Sequence, residues 1–400
     1  MTCEDAVSGA GRFGSLIAAQ AAIQAESREP FAAWFFAITG HLQGSFLLLY
    51  EGLVQLGADP RRMHVLAKSY SAHPTVIDYL HRAGVHVAID NAFDVGRSYE
   101  RHMGLRAQQM LATMCTSATP NAQIMILDEG GRLVRAATSM RLPSRHRVVA
   151  VEQTTRGLDL FGAASGRALP LISVAASRPK REIEARWVAQ TMLEGIRSQV
   201  QTVPTLGDAI TLVGFGAVGA HLAGELAKTP GVLTIVDMEL SRIALALKGG
   251  YRVLSLQEAK RHPVNLWLGC TGRTWLRASD LALLGETLLV NCASSDIEFP
   301  AGYIRRCAAP TDSDGLPVPW HRAFTMATSA GTATTLANGG FPINFRGQLD
   351  TIPPREFQLT RALMLCGAYQ ASTCTDVVGL VDLRSYWSDL CVAAFDGGPV

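Results

Sequence analysis

The sequence predicts an α/β protein of two domains, in which a doubly wound parallel-sheet domain is inserted into a second α/β domain. Two observations carry this expectation. From Ile210 onward, short apolar runs alternate with helix-length segments, which is the signature of a mostly parallel sheet with crossover helices. One of those runs passes straight into a glycine-rich turn and then a helix. With 400 residues and ~150 per domain, two domains, one of them enlarged, is the expected division. The expected boundaries are residues 1–195 for the first domain, 196–345 for the inserted one and 346–400 for a segment returning to the first.

In chain order, Phe31 to Leu56 is largely apolar and is read as a helix. His64 to Leu66, Val85 to Ile89 and Gln123 to Leu127 read as short buried strands. Arg181 to Arg197 spaces Ile183, Trp187, Met192 and Ile196 among charges and reads as an amphipathic helix leading to a boundary near 195–208. Ile210 to Val213, Leu233 to Val236, Val253 to Leu254, Leu266 to Gly269 and Leu288 to Asn291 follow as strands. Thr311 to Pro319 has the composition of a loop, Arg355 to Ala371 reads as helical, and Asp396 to Val400 as a loose end. No internal repeat is found.

Composition narrows the function. A net charge of +2, with 48% hydrophobic and 18% charged residues, describes an ordinary globular chain without a surface for nucleic acid. Phe31 to Ile38 and Phe46 to Tyr50 fall far short of the ~18 apolar residues that cross a bilayer, so no membrane partner is expected. The acidic start has no apolar stretch of a secretory signal behind it, and a cytoplasmic location is expected. None of the eight cysteines forms a C-x-x-C pair, and the histidines show no H-x-x-x-H helix pattern, so no metal is expected.

The glycine turn is informative. Ile210-Thr-Leu-Val-Gly214-Phe-Gly216-Ala217-Val218-Gly219 is a strand entering G-x-G-x-x-G, with a helix expected from Ala220 to Lys228. Gly214 allows the tight turn, Gly216 lets backbone approach a pyrophosphate, and Gly219 lets the helix pack on the strand with its N-terminal amides toward the anion. Roughly 20 residues on, at the end of the next expected strand, stands Asp237, placed to accept hydrogen bonds from a ribose and to repel a 2′-phosphate. The expected cofactor is therefore NAD. Nearby Arg242 is the one group that would soften the preference against NADP. A dinucleotide fold does not name a reaction.

Further blocks carry a resemblance. Leu245-Ala-Leu-Lys-Gly-Gly-Tyr251, Cys270-Thr271-Gly272, Asn291-Cys-Ala-Ser-Ser-Asp296-Ile-Glu298 and Leu336-Ala-Asn-Gly-Gly-Phe-Pro-Ile-Asn344 occur in the second half. His41-Leu-Gln-Gly, Glu51-Gly-Leu-Val-Gln-Leu-Gly57, Ile126-Leu-Asp-Glu-Gly-Gly131, Glu152-Gln-Thr-Thr-Arg-Gly157 and Ile172-Ser-Val followed by Lys180 and Glu184 occur in the first. In order and spacing, over roughly residues 35 to 365, these resemble the S-adenosylhomocysteine hydrolase family. The resemblance implies oxidation of a sugar hydroxyl by bound NAD, removal of the neighbouring ring proton, β-elimination of the exocyclic substituent, and return of the hydride.

Residue by residue, the resemblance implies Lys180 at the oxidised hydroxyl with Glu184 beside it, His41 and Glu129 near the leaving group, and Gln153 over the sugar hydroxyls. Thr154, Thr155, Thr271, Asn291 and Asn344 fall at cofactor positions alongside Gly214, Gly216, Ala217, Val218, Gly219, Asp237 and Arg242. By composition alone, Lys180 in its basic run would be a solvated face, His41 a structural histidine and Glu129 a turn cap. The chain departs from the family at several points. Gln153 replaces a carboxylate, Ala175 and Ala185 replace asparagines, and Ser294 replaces a histidine. The stretch Phe345 to Pro354 has no histidine where the family has a glycine-histidine-proline gate, and the family's basic tail is not recognisable after Cys391.

The expected function is therefore an NAD-dependent lyase that removes water from the exocyclic hydroxymethyl of a purine nucleoside, as in nucleoside antibiotics of the angustmycin type. The alternatives are a true S-adenosylhomocysteine hydrolase, a catalytically silent NAD-binding regulatory homologue, and a plain hydroxy-acid dehydrogenase. The resemblance further implies a homo-oligomer, dimer or tetramer.

Overall fold

A computed structural model describes residues 13–89, 97–140, 142, 145–162, 169–200, 209–262, 264–308, 321–374 and 378–395. The expected loop at Thr311 to Pro319 and the loose end from Asp396 lie outside them. Its contacts divide the chain into two units. The first comprises Met1–Asn91, Met103–Glu184 and Gly347–Val400, and the second Ala92–His102 and Ala185–Arg346. The seam thus falls at Glu184/Ala185 rather than at 195, and a short stretch before His102 groups with the second unit.

The first unit is built on β1 (Trp34–Gly40), β2 (Met63–Ala67), β3 (His86–Ala88), β4 (Gln123–Asp128), β5 (Arg147–Glu152), β6 (Leu171–Ser173) and β14 (Leu380–Asp382). They lie in the order β14-β6-β5-β4-β1-β2-β3, every pair parallel. The second unit holds β7 (Ala209–Val213), β8 (Val232–Val236), β9 (Arg252–Val253), β10 (Leu266–Gly269), β11 (Thr287–Asn291), β12 (Phe324–Ala327) and β13 (Ala333–Leu336). Their order is β12-β13-β11-β10-β7-β8-β9, parallel except for the β12–β13 pair. The fold is a two-part α/β architecture, as the sequence predicts.

One expectation fails. Phe31 to Leu56 is not a single helix: Trp34–Gly40 is the strand β1, and the helix is confined to Phe46–Gln55. The reason lies in the residues Trp34-Phe-Phe-Ala-Ile-Thr-Gly40, aromatic and β-branched, buried almost throughout and paired on both edges. A strand flanked by parallel partners and covered on both faces reads as an unbroken apolar run, which periodicity alone does not separate from a buried helix. The helix that follows buries Phe46, Leu47, Leu48, Leu49, Tyr50 and Leu53, with about 1.5–3 kcal/mol of apolar transfer for each of the larger side chains.

The returning C-terminal helix, Pro354–Thr373, is buried from Gln358 to Ala371 and packs on β4, β5 and β6 as well as on the helices Gly14–Glu26 and Phe46–Gln55. It therefore runs through the interior of the first unit and carries Thr360 and Arg361 inward. In the second unit, Leu212, Ile235, Leu268, Leu288 and Val290 of the sheet form one core with Met192, Ile196, Leu222 and Ala223 of the covering helices. Among the described residues, no helix is long and apolar enough to cross a membrane.

Candidate functional site

In the first sheet the chain starts at β1 and builds outward on one side through β2 and β3, then on the other through β4, β5 and β6. The reversal lies between β1 and β4. In open parallel sheets, ligands bind beyond the carboxyl ends of the strands at this reversal, where crossovers leave in opposite directions and open a crevice. His41 follows β1, Lys68 follows β2, Glu129 follows β4, and Glu152 ends β5. Four chemically capable side chains are delivered to one end of one sheet by strand register alone.

They meet closely. His41 Nε2 lies 2.8 Å from Glu129 Oε1, and Lys68 Nζ lies 3.1 Å from the same oxygen and 3.1 Å from His41 Nε2. Nδ1 of His41 is 2.5 Å from the Ser71 hydroxyl. Because a carboxylate only accepts, a ring proton shared with Glu129 sits on Nε2, while the Ser71 hydroxyl, which donates to Lys68 O at 3.2 Å, stands against Nδ1. Burial, reinforced by Lys68, pushes the His41 pKa down to about 4 against the pull of Glu129. Burial alone would raise the Glu129 carboxyl, but His41 and Lys68 hold it well below the usual carboxylate range. Burial also lowers Lys68, which is only 1% exposed, while Glu129 partly restores it.

Beside this cluster a second carboxylate has a structural role. Glu152 accepts from the amides of Gly130 (3.1 Å), Gly131 (2.9 Å) and Thr154 (2.7 Å) and from the Thr154 hydroxyl (2.5 Å). It pins the Gly130-Gly131 turn, in which both glycines have positive φ, to the loop after β5. Burial and its register neighbour Asp128 push Glu152 up to about 8. Asp128 accepts from the Thr39 hydroxyl at 2.6 Å and from the amides of Glu129 and Val134. Thr154, expected at a cofactor, thus caps Glu152, and Thr155 is exposed at the start of its helix. Gln153 is 4% exposed, and its Oε1 accepts no hydrogen bond among the described residues.

Lys180 and Glu184 occupy a π-helical turn, Lys180–Glu184, and are joined Nζ to Oε2; the Thr360 hydroxyl bonds the same oxygen. Single π-turns tend to be kept where side chains must be re-aimed. Arg361, 3% exposed, donates through Nε to Ser45 O at 3.2 Å. Its guanidinium is within electrostatic reach of Glu129, Glu184 and Asp350, so one buried cation is common to the Lys180 pair and the His41 cluster.

In the second unit, read from β7, the order is that of a mononucleotide-binding sheet, with the reversal between β7 and β10. This is a Rossmann fold. Gly214 has φ +105 and leaves no space for a Cβ, which would lie 2.5 Å from Cys270 O. A Cβ on Gly219 would lie 2.1 Å from Gly214 O. At Gly216 the nearest atom to a Cβ is Arg242 Nη1 at 3.4 Å, so the loop is open where a phosphate would approach. The helix begins at Ala217, earlier than expected, with no side chain capping its first amides. Ala217 is exposed and Val218 half-buried.

Asp237 accepts from the amides of Phe215 (2.6 Å), Met238 (2.7 Å) and Glu239 (2.9 Å), which fixes the carboxylate at the end of β8. Arg242 pairs with Glu239 at 2.7 Å. Glu298 accepts from the Thr271 amide (2.8 Å) and hydroxyl (2.9 Å) and from the Gly272 amide, and burial pushes it up to about 7. Asn291 is wholly buried; its Nδ2 donates to Ser295 O and Gly340 O, and its Oδ1 accepts from the Ala293 amide. It shapes the loop after β11 rather than presenting its own donors. Asn344 donates to the Thr191 hydroxyl at 3.2 Å.

Of the expected residues of the first unit, the structure brings together His41 and Glu129, and Lys180 and Glu184. It adds three that the sequence reading does not include: Lys68, Arg361 and the Glu152 anchor. For Lys68 a signal exists, a lysine directly after a buried strand. For Arg361 there is none, because its helix is buried almost throughout.

No protein-family model matches the chain. An uncharacterized protein of Mycobacterium tuberculosis, found in strains CDC 1551 / Oshkosh and ATCC 25618 / H37Rv, is 29% identical over 345 residues. These cover 83% of this chain, which spans 63% of that protein's length. Among solved structures, a dipicolinate synthase chain from Bacillus halodurans is 14% identical at a TM-score of 0.41, over 72% of this chain and 90% of its own. L-tryptophan dehydrogenase from Nostoc punctiforme is 12% identical at 0.29, over 66% and 62%.

Proposed function

We propose that the protein is an NAD-dependent nucleoside dehydratase, related to the S-adenosylhomocysteine hydrolases it resembles, which eliminates water from the exocyclic hydroxymethyl of a purine nucleoside. The observation that carries this reading is that the first unit holds two separate proton-moving groups, Lys180–Glu184 and His41–Glu129–Lys68, within reach of one buried guanidinium. Oxidation of a sugar hydroxyl followed by elimination needs two such groups, one for the hydroxyl proton and one for the leaving oxygen.

The residues of the second unit fit NAD. The open Gly216 and the uncapped amides of Ala217 and Val218 would take the pyrophosphate, and Asp237 the adenosine ribose, with Arg242 held off by Glu239. Bound NAD would supply the reversible oxidation of the sugar. Lys180 would pass a proton to Glu184 and take the hydroxyl proton in its place. Gln153, whose buried carbonyl oxygen has no partner among the described residues, would orient a sugar hydroxyl without accepting its proton.

The balance between elimination and hydrolysis follows from His41. Its ring nitrogens are engaged by Glu129 and Ser71, so the ring is not a free base for the water that hydrolysis must add. The test is to incubate NAD-loaded protein with adenosine, its ketohexose analogue and S-adenosylhomocysteine and to weigh the products. Loss of one water from a nucleoside is expected. Free homocysteine would identify a hydrolase, and no turnover at all would leave only a binding role; either result overturns the proposal.

A further inference from the structure

We propose that Lys68 stores the proton required by the departing hydroxyl and that Glu129 passes it on; this inference rests on the dehydratase reading and sharpens it. Hydroxide is a poor leaving group, so the exocyclic C–O bond breaks only if its oxygen gains a proton as it leaves. His41 and Glu129, the side chains that resemblance puts there, are not the source of that proton. His41 Nε2 is taken up by Glu129 and Lys68 together, and Glu129 is held as a carboxylate by two partners on one oxygen. The proton-bearing cation of the cluster is Lys68.

Its placement is unusual. Lysine is almost never fully buried unless paired, and Lys68 is 1% exposed with its ammonium against Glu129 Oε1 and His41 Nε2. It sits behind Glu129, so it acts through that carboxylate and is a positioning residue. The other Glu129 oxygen, Oε2, accepts no hydrogen bond among the described residues and is the oxygen from which a proton can leave the cluster.

The step balances. With the sugar ketone formed, the ring carbon beside the hydroxymethyl group gives up its proton to a base, and that electron pair becomes the new C=C bond. The C–O bond breaks, its oxygen takes the proton that Glu129 received from Lys68, and water departs. Lys68, left as the neutral amine, is recharged by the proton removed from carbon or by solvent. Glu129 and His41 touch Lys68, and the charges of Arg132, Glu152 and Asp128 act on it as well.

The test compares leaving groups. Wild type, Lys68→Met and Lys68→Arg are given the nucleoside that wild type dehydrates and its analogue with fluorine in place of the hydroxyl, since fluoride leaves without a proton. Arginine keeps the positive charge beside Glu129 and cannot release a proton at any working pH, so Lys68→Arg guards against a variant that fails to fold. Each variant should lose about 100-fold or more of water elimination. Each should release fluoride within about tenfold of wild type and still wash deuterium from the ring carbon. The wild-type rate should also fall on the alkaline side for the hydroxyl substrate and not for the fluoro analogue. Lys68→Arg dehydrating at the wild-type rate, or losing fluoride release in step with water loss, would overturn the inference. Wild type dehydrating no nucleoside would instead bring down the reading on which it rests.

Discussion

His41 and Glu129 follow adjacent parallel strands, β1 and β4, and meet at 2.8 Å across the reversal of strand order in the first sheet. Neither element alone makes the pair; it exists because β4 pairs with β1 on the side away from β2, which sets the carboxyl ends of the two strands next to each other. Lys68, carried by β2 on the other side of β1, completes the cluster.

Glu129→Gln takes the paired carboxylate from a buried ammonium, a loss of about 3–5 kcal/mol for a broken buried pair. Urea unfolding should show a loss of this size. The double variant Glu129→Gln/Lys68→Met should recover most of it, because the ammonium is then gone. A double variant no more stable than Glu129→Gln would contradict the pairing.

Gly157→Ala tests the Glu152 anchor. A Cβ there would lie 2.1 Å from Glu152 Cδ, so the carboxylate would be driven off the Gly130-Gly131 turn. We expect a stability loss of about 2 kcal/mol or more, since several buried donors lose their acceptor together, measured as a lowered unfolding midpoint. A neutral substitution would show that the turn does not depend on Glu152.

The fingerprint glycines should separate binding from folding. Gly219→Ala places a Cβ 2.1 Å from Gly214 O and should impair folding. At Gly216 a Cβ meets only the tip of Arg242, so Gly216→Val should leave stability within about 1 kcal/mol of wild type while abolishing NAD binding by calorimetry. Retained NAD affinity in Gly216→Val would place the cofactor elsewhere.

Lys180→Ala should abolish nucleoside turnover and change NAD affinity little. The same substitution leaves Glu184 bonded to Thr360, so the protein should remain folded. Turnover within about tenfold of wild type would remove Lys180 from the chemistry.

Glu298 gives a pH signature. Its folded pKa is raised to about 7 from 4.5, so between these values the folded state holds the proton more tightly than the unfolded state. Its contribution is complete below pH 4.5 and is lost as pH rises through 7, amounting to about 3 kcal/mol at ~1.4 kcal/mol per pKa unit. Urea midpoints should fall for wild type as pH rises from mildly acidic to mildly alkaline, and fall less for Glu298→Gln. Equal slopes would contradict this assignment.

Much of the second unit can be read from its residues, because a glycine turn has local causes: Gly214, Gly219 and Asp237 are held by backbone close to the same strand-turn-helix. The first unit is harder. Trp34–Gly40 reads as part of a helix because a strand covered on both faces has no alternation to display. Lys68 is marked in a linear reading only as a lysine after a buried strand and Arg361 not at all, since their roles come from strand order and from a helix far along the chain. Asn291 and Thr154 sit at expected positions, yet their side chains are turned to the protein's own backbone and to Glu152.

The central claim is that a sugar is transiently oxidised so that a neighbouring C–H becomes acidic. The most direct measurement is deuterium loss from the ring carbon next to the hydroxymethyl group, followed by mass spectrometry in NAD-loaded wild type and in Lys180→Ala. Washout into solvent is expected with wild type and none with Lys180→Ala. Full retention of deuterium by wild type, in every purine nucleoside offered, would contradict it.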